Sequence, residues 1–333
     1  MSKLDLKDRK ILFALEDNAR QSDQEVARKV RLSRESVRYR IHQMQKNGYI
    51  NYFMTLINTM KLGYDWYRTF FKFQNVTLEK EEEMIGWLKK RASWITRVEG
   101  IWDLNTAIFC KNVYQYRDII NEFLMEYSKF VEKYNVAIVT RMWIYKKNYL
   151  LYKTQKNVEP IVMGFNSYND RQVEVIDDID YGILGIVMKN ARMKNSDIAR
   201  RMNITEMMVR YRIRKLVEKG IIIGFRPFLN IPRLGYIYFK IHFTLQNLTA
   251  EKKRTIFTYM HQHPSTAHTT ELVGGSDLET EFQVTTNQEF YDHIRQIRTM
   301  FGDLIKDYEF MQYTNEYKFT YLPERDMQTY AMS

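Results

Sequence analysis

Val37-Arg38-Tyr39-Arg40-Ile41 returns letter for letter as Val209-Arg210-Tyr211-Arg212-Ile213, 172 residues further along the chain. The same offset carries Ile11-Leu12 onto Ile183-Leu184, Asn18-Ala19-Arg20 onto Asn190-Ala191-Arg192, and Gly48 onto Gly220. It also carries Leu62-Gly63-Tyr64 onto Leu234-Gly235-Tyr236; Gly100 and Asp103 then match Gly274 and Asp277 after a slip of two. A period this long is domain-sized and reads as duplication and fusion, not as a solenoid of short repeats. Between the copies, residues 152–176 hold Pro160, Gly164, Asn166, Ser167 and Asn169, the composition of a connector.

Working outward from the repeated pentapeptide, each copy predicts three short helices. In the first copy these cover residues 5–18, 22–30 and 34–46. Ser22 and Glu25 have the spacing of a capping box, Ser33 caps the third helix, and Asn47-Gly48 stops it. The second copy predicts helices over 179–190, 196–202 and 206–219, the last capped by Thr205 and ended by Gly220. After each triplet the apolar period switches between strand and helix in the order βαββαβ, the ferredoxin-like split unit. The fold expectation is α+β: winged helix-turn-helix over 1–60 and 177–231, ferredoxin-like domains over 61–151 and 232–322, and a tail over 323–333.

Composition agrees with a packed, intracellular chain. Of 333 residues, 45% are hydrophobic and 14% aromatic, which disfavours wholesale disorder. One cysteine, Cys110, excludes an intramolecular disulfide and a multi-cysteine zinc site, and points to a reducing cytosol. No apolar run reaches the roughly 18–20 residues that span a bilayer, and the N-terminus lacks the apolar stretch of a secretory signal. The net charge of +11 is concentrated: residues 1–50 carry +5, residues 178–222 carry +5, and the remainder only +1. Two basic footprints of this kind suit a polyanion such as double-stranded DNA.

The third helix of each copy explains the footprints. Val37, Ile41 and Met44, and in parallel Val209, Ile213 and Leu216, form an apolar stripe that faces the core. The remaining faces hold Glu35, Arg38, Tyr39, His42 and Lys46 with Ser33, Arg34 and Ser36 at the start. In the second copy they hold Arg210, Tyr211, Arg214 and Lys219 with Thr205 and Glu206 at the start. Such a face suits the major groove, where arginine reads guanine and the hydroxyl, imidazole and ammonium groups meet bases or phosphates. The competing reading is a solvated charged face. Arg40 and Arg212 lie beside the apolar stripe and are expected to tie the helix to its own domain or to a phosphate.

These residues resemble a known family. Leu4-Asp5, Ile11-Leu12, Asn18-Ala19-Arg20, Val26-Ala27, Leu32-Ser33, the pentapeptide and Gly48-Tyr49-Ile50 are similar to the helix-turn-helix of the Lrp/AsnC feast/famine transcription regulators. Val98-Glu99-Gly100-Ile101-Trp102-Asp103-Leu104 and Leu272-Val273-Gly274-Gly275-Ser276-Asp277-Leu278 resemble that family's Gly-x-x-Asp loop in its regulatory (RAM) domain. The resemblance implies DNA binding, dimerisation through the regulatory domains with further assembly, and often an amino-acid effector at the loop. Carried onto this chain, the effector residues are Gly100, Trp102 and Asp103 with Gly274, Gly275 and Asp277. The duplicated chain could pair its two regulatory domains within one molecule, as a pseudo-dimer. The recognition helices begin differently, Arg34-Glu35-Ser36 against Glu206-Met207-Met208, so unlike half-sites are expected.

Other chemistry is weakly signalled. No cofactor motif and no metal site is expected; His261, His263 and His268 read as loop and helix-end histidines, and Cys110 as a buried thiol. Two alternatives stand beside the regulator. One is an enzyme similar in architecture to the sirohaem decarboxylases, which would need a basic pocket drawn from Arg68, Lys72, Arg97, Lys240, His242 and His268. The other is an architectural protein that binds DNA with little sequence choice.

Overall fold

The computed structural model describes residues 4–151 and 159–322, so the connector residues 152–158 and the expected tail lie outside the described residues. The first copy opens with α1 (Leu6–Leu15), α2 (Asp23–Val30) and α3 (Arg34–Lys46), followed by strand β1 (Ile50–Ile57). Its second half is β2 (Asp65–Phe73), α4 (Leu78–Lys89), β3 (Trp94–Gly100), β4 (Leu104–Cys110), α5 (Val113–Tyr127) and β5 (Val131–Ile144). The connector contributes β6 (Ile161–Gly164), which pairs with β5, so it is partly sheet. The second copy repeats the plan: α6 (Asp178–Met188), α7 (Asn195–Met202), α8 (Glu206–Glu218) and β7 (Ile222–Leu229). Then come β8 (Ile237–Leu245), α9 (Ala250–Gln262), β9 (Thr266–Val273), β10 (Leu278–Val284), α10 (Asn287–Phe301) and β11 (Ile305–Phe319).

Local chemistry accounts for most boundaries. Asp5 and Ser22 each form a reciprocal capping box, and Ser33, Asp177 and Thr205 accept from backbone N–H groups at their helix starts. Some boundaries differ from expectation: α1 ends at Leu15 and α6 at Met188, short of 18 and 190, and α7 begins at Asn195, where Lys194, which stands where the first copy has Ser22, offers no side-chain cap. Strands β5 and β11 run 14 and 15 residues, longer than their apolar stretches suggest, because each has partners on both edges.

The two ferredoxin-like domains share one sheet. Strand order β2-β4-β3-β11-β8-β10-β9-β5, with β5 returning to β2, closes eight antiparallel strands into a barrel. Its cross-copy seams are β3 on β11 and β5 on β9, which makes the pseudo-dimer intramolecular. Gly100 sits in one seam at φ +138, where a Cβ would come within 2.8 Å of the Phe310 carbonyl oxygen. Gly274, at φ +82, does the same against the Val136 carbonyl at 2.9 Å. Outside the barrel, α4 and α5 pack on one half through Phe71, Leu88 and Phe123, and α9 and α10 pack on the other through Phe243, Phe282 and Phe290.

The helix-turn-helix units are also locked together. β1 and β7 pair antiparallel as a two-stranded ribbon. Arg20 donates to the Ala191 carbonyl (2.5 Å) and to Asn195; Arg192 donates to the Ala19 carbonyl (2.8 Å) and to Asp23 (2.5 Å). The repeated Asn-Ala-Arg is therefore a reciprocal clasp between copies. A buried Glu16 (0% exposed) at the end of α1 receives Arg226 of the ribbon at 2.6 Å and Lys147 at 3.1 Å. Burial works to raise its carboxyl, but Lys147 and Arg226 outweigh it and hold Glu16 below the usual carboxylate range.

Candidate nucleic-acid interface

On α3 the apolar stripe Val37, Ile41 and Met44 is buried against α1 and α2, and on α8 Val209, Ile213 and Leu216 do the same. That burial turns the polar faces outward. Ser33, Arg34, Glu35, Arg38, Tyr39, His42 and Lys46 are exposed and Ser36 is half-buried; Tyr39 presents 65% of its surface. On the second copy Thr205, Glu206, Arg210, Tyr211 and Arg214 are exposed, while Lys219 is half-buried. Met207 and Met208, at the start of that face, are exposed too, an apolar patch the first copy lacks.

Arg40 and Arg212 behave as expected. Arg40 ties α3 to Asp5 (2.9 Å) and Asp8 (2.8 Å), and Arg212 ties α8 to Asp177 (2.7 Å) and Asp180 (3.4 Å). The partners lie in the first turn of α1 and α6, so one arginine per copy fixes the recognition helix against its neighbour. The hydrogen bond that Arg40 donates to Asp8 leads in holding its guanidinium charged, and the one Arg212 donates to Asp177 does so for Arg212.

The outward cations differ in their partners. Among the described residues Arg34, Arg38 and Lys46 make no ion pair, so their charge is available to a polyanion. On α8 Arg210 pairs with Glu206 (3.3 Å), Arg214 with Glu218 (3.6 Å) and Lys215 with Glu218 (2.9 Å). Lys219 is drawn to the Val175 carbonyl (3.1 Å) and Glu174 (3.4 Å), next to the connector. Those side-chain pairs are exposed and weak, within reach of exchange for phosphate. The two helices thus offer unequal electrostatics as well as unequal starting residues.

The glycine loops sit elsewhere. Asp103 accepts from Lys72 (2.7 Å) and from the Phe73 backbone N–H (2.7 Å), and Asp277 accepts from the Leu245 N–H (2.7 Å). In this structure both carboxylates hold their own loop to the end of a neighbouring strand. Trp102 is buried against Phe70, Val98 and Met311, and Gly275 lies at positive φ beside Ala137.

The basic residues of the enzyme alternative divide. Lys72 goes to Asp103 and Arg97 to Glu81 (2.5 Å). Arg68, Lys240, His242 and His268 converge inside the barrel. Lys240 donates to Glu279 (2.7 Å) and Glu281 (3.1 Å), Arg68 pairs with Glu279, and His268 meets Glu281 at 2.8 Å. Tyr313 donates to Glu281 at 3.1 Å, and Tyr238 also donates to it. Burial works to raise Glu281, but Lys240 and His268 hold it well below the usual range. Burial, with Lys240 and Arg68 near, pushes His242 well below its ordinary value, so it is neutral. The basic members of this cluster were named from the sequence as pocket candidates, but their partners Glu279 and Glu281, and the Glu16 triad, were missed. Their one signal is polar alternation in strands, Glu279-x-Glu281-x-Gln283 facing Tyr238-x-Lys240-x-His242. His263 packs on His293 at 4.2 Å, and among the described residues no group of three histidine, cysteine or carboxylate side chains could hold a metal. Cys110 is buried, and among the described residues no helix is long and apolar enough to cross a membrane.

Comparison with known proteins supports the two halves unequally. A family of winged helix-turn-helix DNA-binding domains matches residues 4–51 and again 176–223. The regulator Ptr1 of Methanocaldococcus jannaschii is 44% identical over 62 residues, 19% of this chain and 42% of its own length. The regulator LrpA of Pyrococcus horikoshii is also 44% identical over 62 residues, 19% of this chain and 44% of its own. The match thus spans less than half of those relatives. Over the whole chain, the fold resembles the solved sirohaem decarboxylase NirDL with a TM-score of 0.64, covering 97% of this chain and 96% of that one at 13% identity, a likeness of fold alone. The chain carries two units that match winged helix-turn-helix DNA-binding domains, each followed by a ferredoxin-like domain.

Proposed function

We propose that the chain is a DNA-binding transcription regulator acting in the cytoplasm, whose α3 and α8 enter the major groove of double-stranded DNA. In this reading Ser33, Arg34, Glu35, Ser36, Arg38, Tyr39, His42 and Lys46 meet one half-site. Thr205, Glu206, Arg210, Tyr211, Arg214 and Lys219 meet the other, unlike one. The observation that carries it is a pair of outward basic recognition helices joined by the β1–β7 ribbon and the Arg20 and Arg192 clasp. A helix-turn-helix pair of fixed spacing reads half-sites of fixed spacing. An amino-acid-like effector at Gly100, Trp102, Asp103, Gly274, Gly275 and Asp277 is part of this reading; there it meets Asp103 and Asp277 with both carboxylate and N–H already bonded within the barrel, so it has to exchange for those bonds. Further assembly into larger homo-oligomers belongs to the same proposal. Fluorescence anisotropy on labelled duplexes tests the DNA reading: binding weakens steeply as salt rises, through counterion release. Binding that ignores salt contradicts it.

One observation favours a second reading, an enzyme acting on a carboxylate-rich tetrapyrrole: Arg68, Lys240, His242 and His268 gather in one place. Its weakness is charge. Arg68 and Lys240 face Glu279 and Glu281, so the cluster has no surplus of fixed positive charge for a polyanion. Addition of sirohaem is expected to leave its visible spectrum unchanged; a spectral shift without DNA retardation would reverse the preference.

A further inference from the structure

The repeat exposes an inequality inside the barrel. On β2 and β8 the inward residues correspond as Trp66 to Tyr238, Arg68 to Lys240 and Phe70 to His242. On β4 and β10 they correspond as Asn105 to Glu279, Ala107 to Glu281 and Phe109 to Gln283. The strand registers agree: Arg68 lies opposite Ala107, as Lys240 lies opposite Glu281. Lys240 therefore has a carboxylate from its own domain. Arg68 has a methyl group there, and among the described residues it pairs with Glu279 of the other copy alone.

The space Ala107 leaves belongs to a cavity of about 610 Å³ between the barrel and the β1–β7 ribbon. Its barrel wall includes Trp94 and the stacked pair Trp66 and Phe109 (4.5 Å); its ribbon wall includes the stacked pair Tyr52 and Phe228 (4.6 Å). Flat ring faces on both sides suit a flat apolar body. The polar groups match an anion. Among the described residues five lysine or arginine side chains line the cavity against two carboxylates, Glu281 and Glu316; Arg68 is itself balanced by Glu279, so the surplus lies with Lys189 and the Arg226 and Lys147 pair. Arg226 and Lys147 share the single carboxylate of Glu16, which leaves one positive charge over. Arg68 is 3% exposed, and its Nε, buried beside the cavity, has no hydrogen-bond partner among the described residues. An orphaned buried guanidinium donor at a ligand-sized cavity is a group waiting for an acceptor. Glu316 also faces the cavity, and the protein around it, with Glu281, pushes its carboxyl up to about 8, so it adds little negative charge near neutrality.

We infer that this cavity is a binding site for a small aromatic carboxylate, its ring held between the two aromatic walls and its carboxylate received by Arg68 in the space above Ala107. The site is distinct from the glycine loops and does not depend on the DNA reading. The second copy cannot form it, because Glu281 already occupies the equivalent place.

The test uses the full chain and three probes: indole-3-carboxylate, indole without the carboxylate, and hexanoate without the ring. Isothermal titration is expected to show binding of indole-3-carboxylate, with indole and hexanoate each weaker by about tenfold or more, the weight of one charge-assisted contact or one ring sandwich. Ala107→Glu puts into the first copy what the second copy has; it is expected to abolish binding by filling the space and satisfying Arg68. Should that variant fold poorly, the wild-type chain supplies the second readout. On ¹⁵N-indole-labelled protein the probe is expected to shift the Trp66 and Trp94 signals and leave Trp87, Trp102 and Trp143 in place. No binding by indole-3-carboxylate, equal binding by bare indole, unchanged binding in a folded Ala107→Glu chain, or shifts confined to the other tryptophans would each overturn the site.

Discussion

Arg38 and Arg210 occupy the same place in the repeat, yet Arg38 makes no ion pair among the described residues while Arg210 leans on Glu206 at 3.3 Å. Loss of an arginine that reads a base costs about 1–3 kcal/mol and relaxes choice at that base; loss of a phosphate contact weakens all sequences alike. Arg38→Ala is therefore expected to lose more affinity than Arg210→Ala, measured by anisotropy on one selected duplex. Glu206→Gln frees Arg210 and is expected to tighten binding a few-fold at low salt. Inside the molecule Glu16 matters more than any surface pair. Glu16→Gln strands Arg226 and Lys147 and is expected to cost about 3–5 kcal/mol in chemical denaturation, the usual loss when one partner of a buried ion pair goes. The tie made by Arg40 and Arg212 was legible, since both lie beside the apolar stripe of their own helix. The Arg20 and Arg192 clasp was not, although the repeated Asn-Ala-Arg was plain. Its partners, Ala191 and Ala19, lie in the opposite copy, and no local period points across a pseudo-twofold axis.

Elements rather than single residues set the spacing of the two recognition helices. β1 and β7 hold one another along the ribbon, and the two arginines pin the helix-turn-helix units on either side. Removing both, Arg20→Ala with Arg192→Ala, is expected to leave each unit able to bind its half-site while broadening the spacings that selection accepts. α7 offers a complementary change. Its N-cap, Lys194, has extended backbone (φ −65, ψ 143) and Asp197 stands three residues on. Lys194→Ser completes a capping pattern and is expected to add about 0.5–1 kcal/mol in thermal or denaturant unfolding. Helices and the βαββαβ order were readable because their apolar periods are strong and their caps are local. Strand ends were less so: β5 and β11 extend past their apolar stretches because partners on both edges use polar residues as well.

Across the molecule, ionised carboxylates stand where acid must reach them for the chain to open, Glu281 inside the barrel and Glu16, Asp5 and Asp177 in the helix-turn-helix units. Glu16, Glu281, Asp5 and Asp177 all sit below their ordinary values, held there by their cations and N–H donors against the opposing pull of burial. A depressed carboxyl contributes stability that is present above its unfolded value and is lost as pH falls through its folded one. Glu316 has the opposite sign: raised to about 8, it withdraws stability as pH climbs from the ordinary carboxylate range toward 8. Denaturation midpoints are expected to fall below pH 5 and to decline gently toward pH 8, and Glu316→Gln is expected to remove the alkaline decline alone. The intramolecular pairing of the ferredoxin-like domains was readable from the repeat, whereas the carboxylate side of the barrel interior was not. Arg68 takes its carboxylate from the other copy, so the first copy read alone does not show why that arginine can be buried.

Selection from a random duplex pool by the full chain tests most directly whether two unlike basic helices, held outward at a fixed separation, read DNA together. A bipartite motif with unlike halves at one spacing is expected, with Arg38→Ala relaxing one half and Arg210→Ala the other. A pool that emerges without enrichment, or a motif that neither substitution alters, would contradict that joint reading.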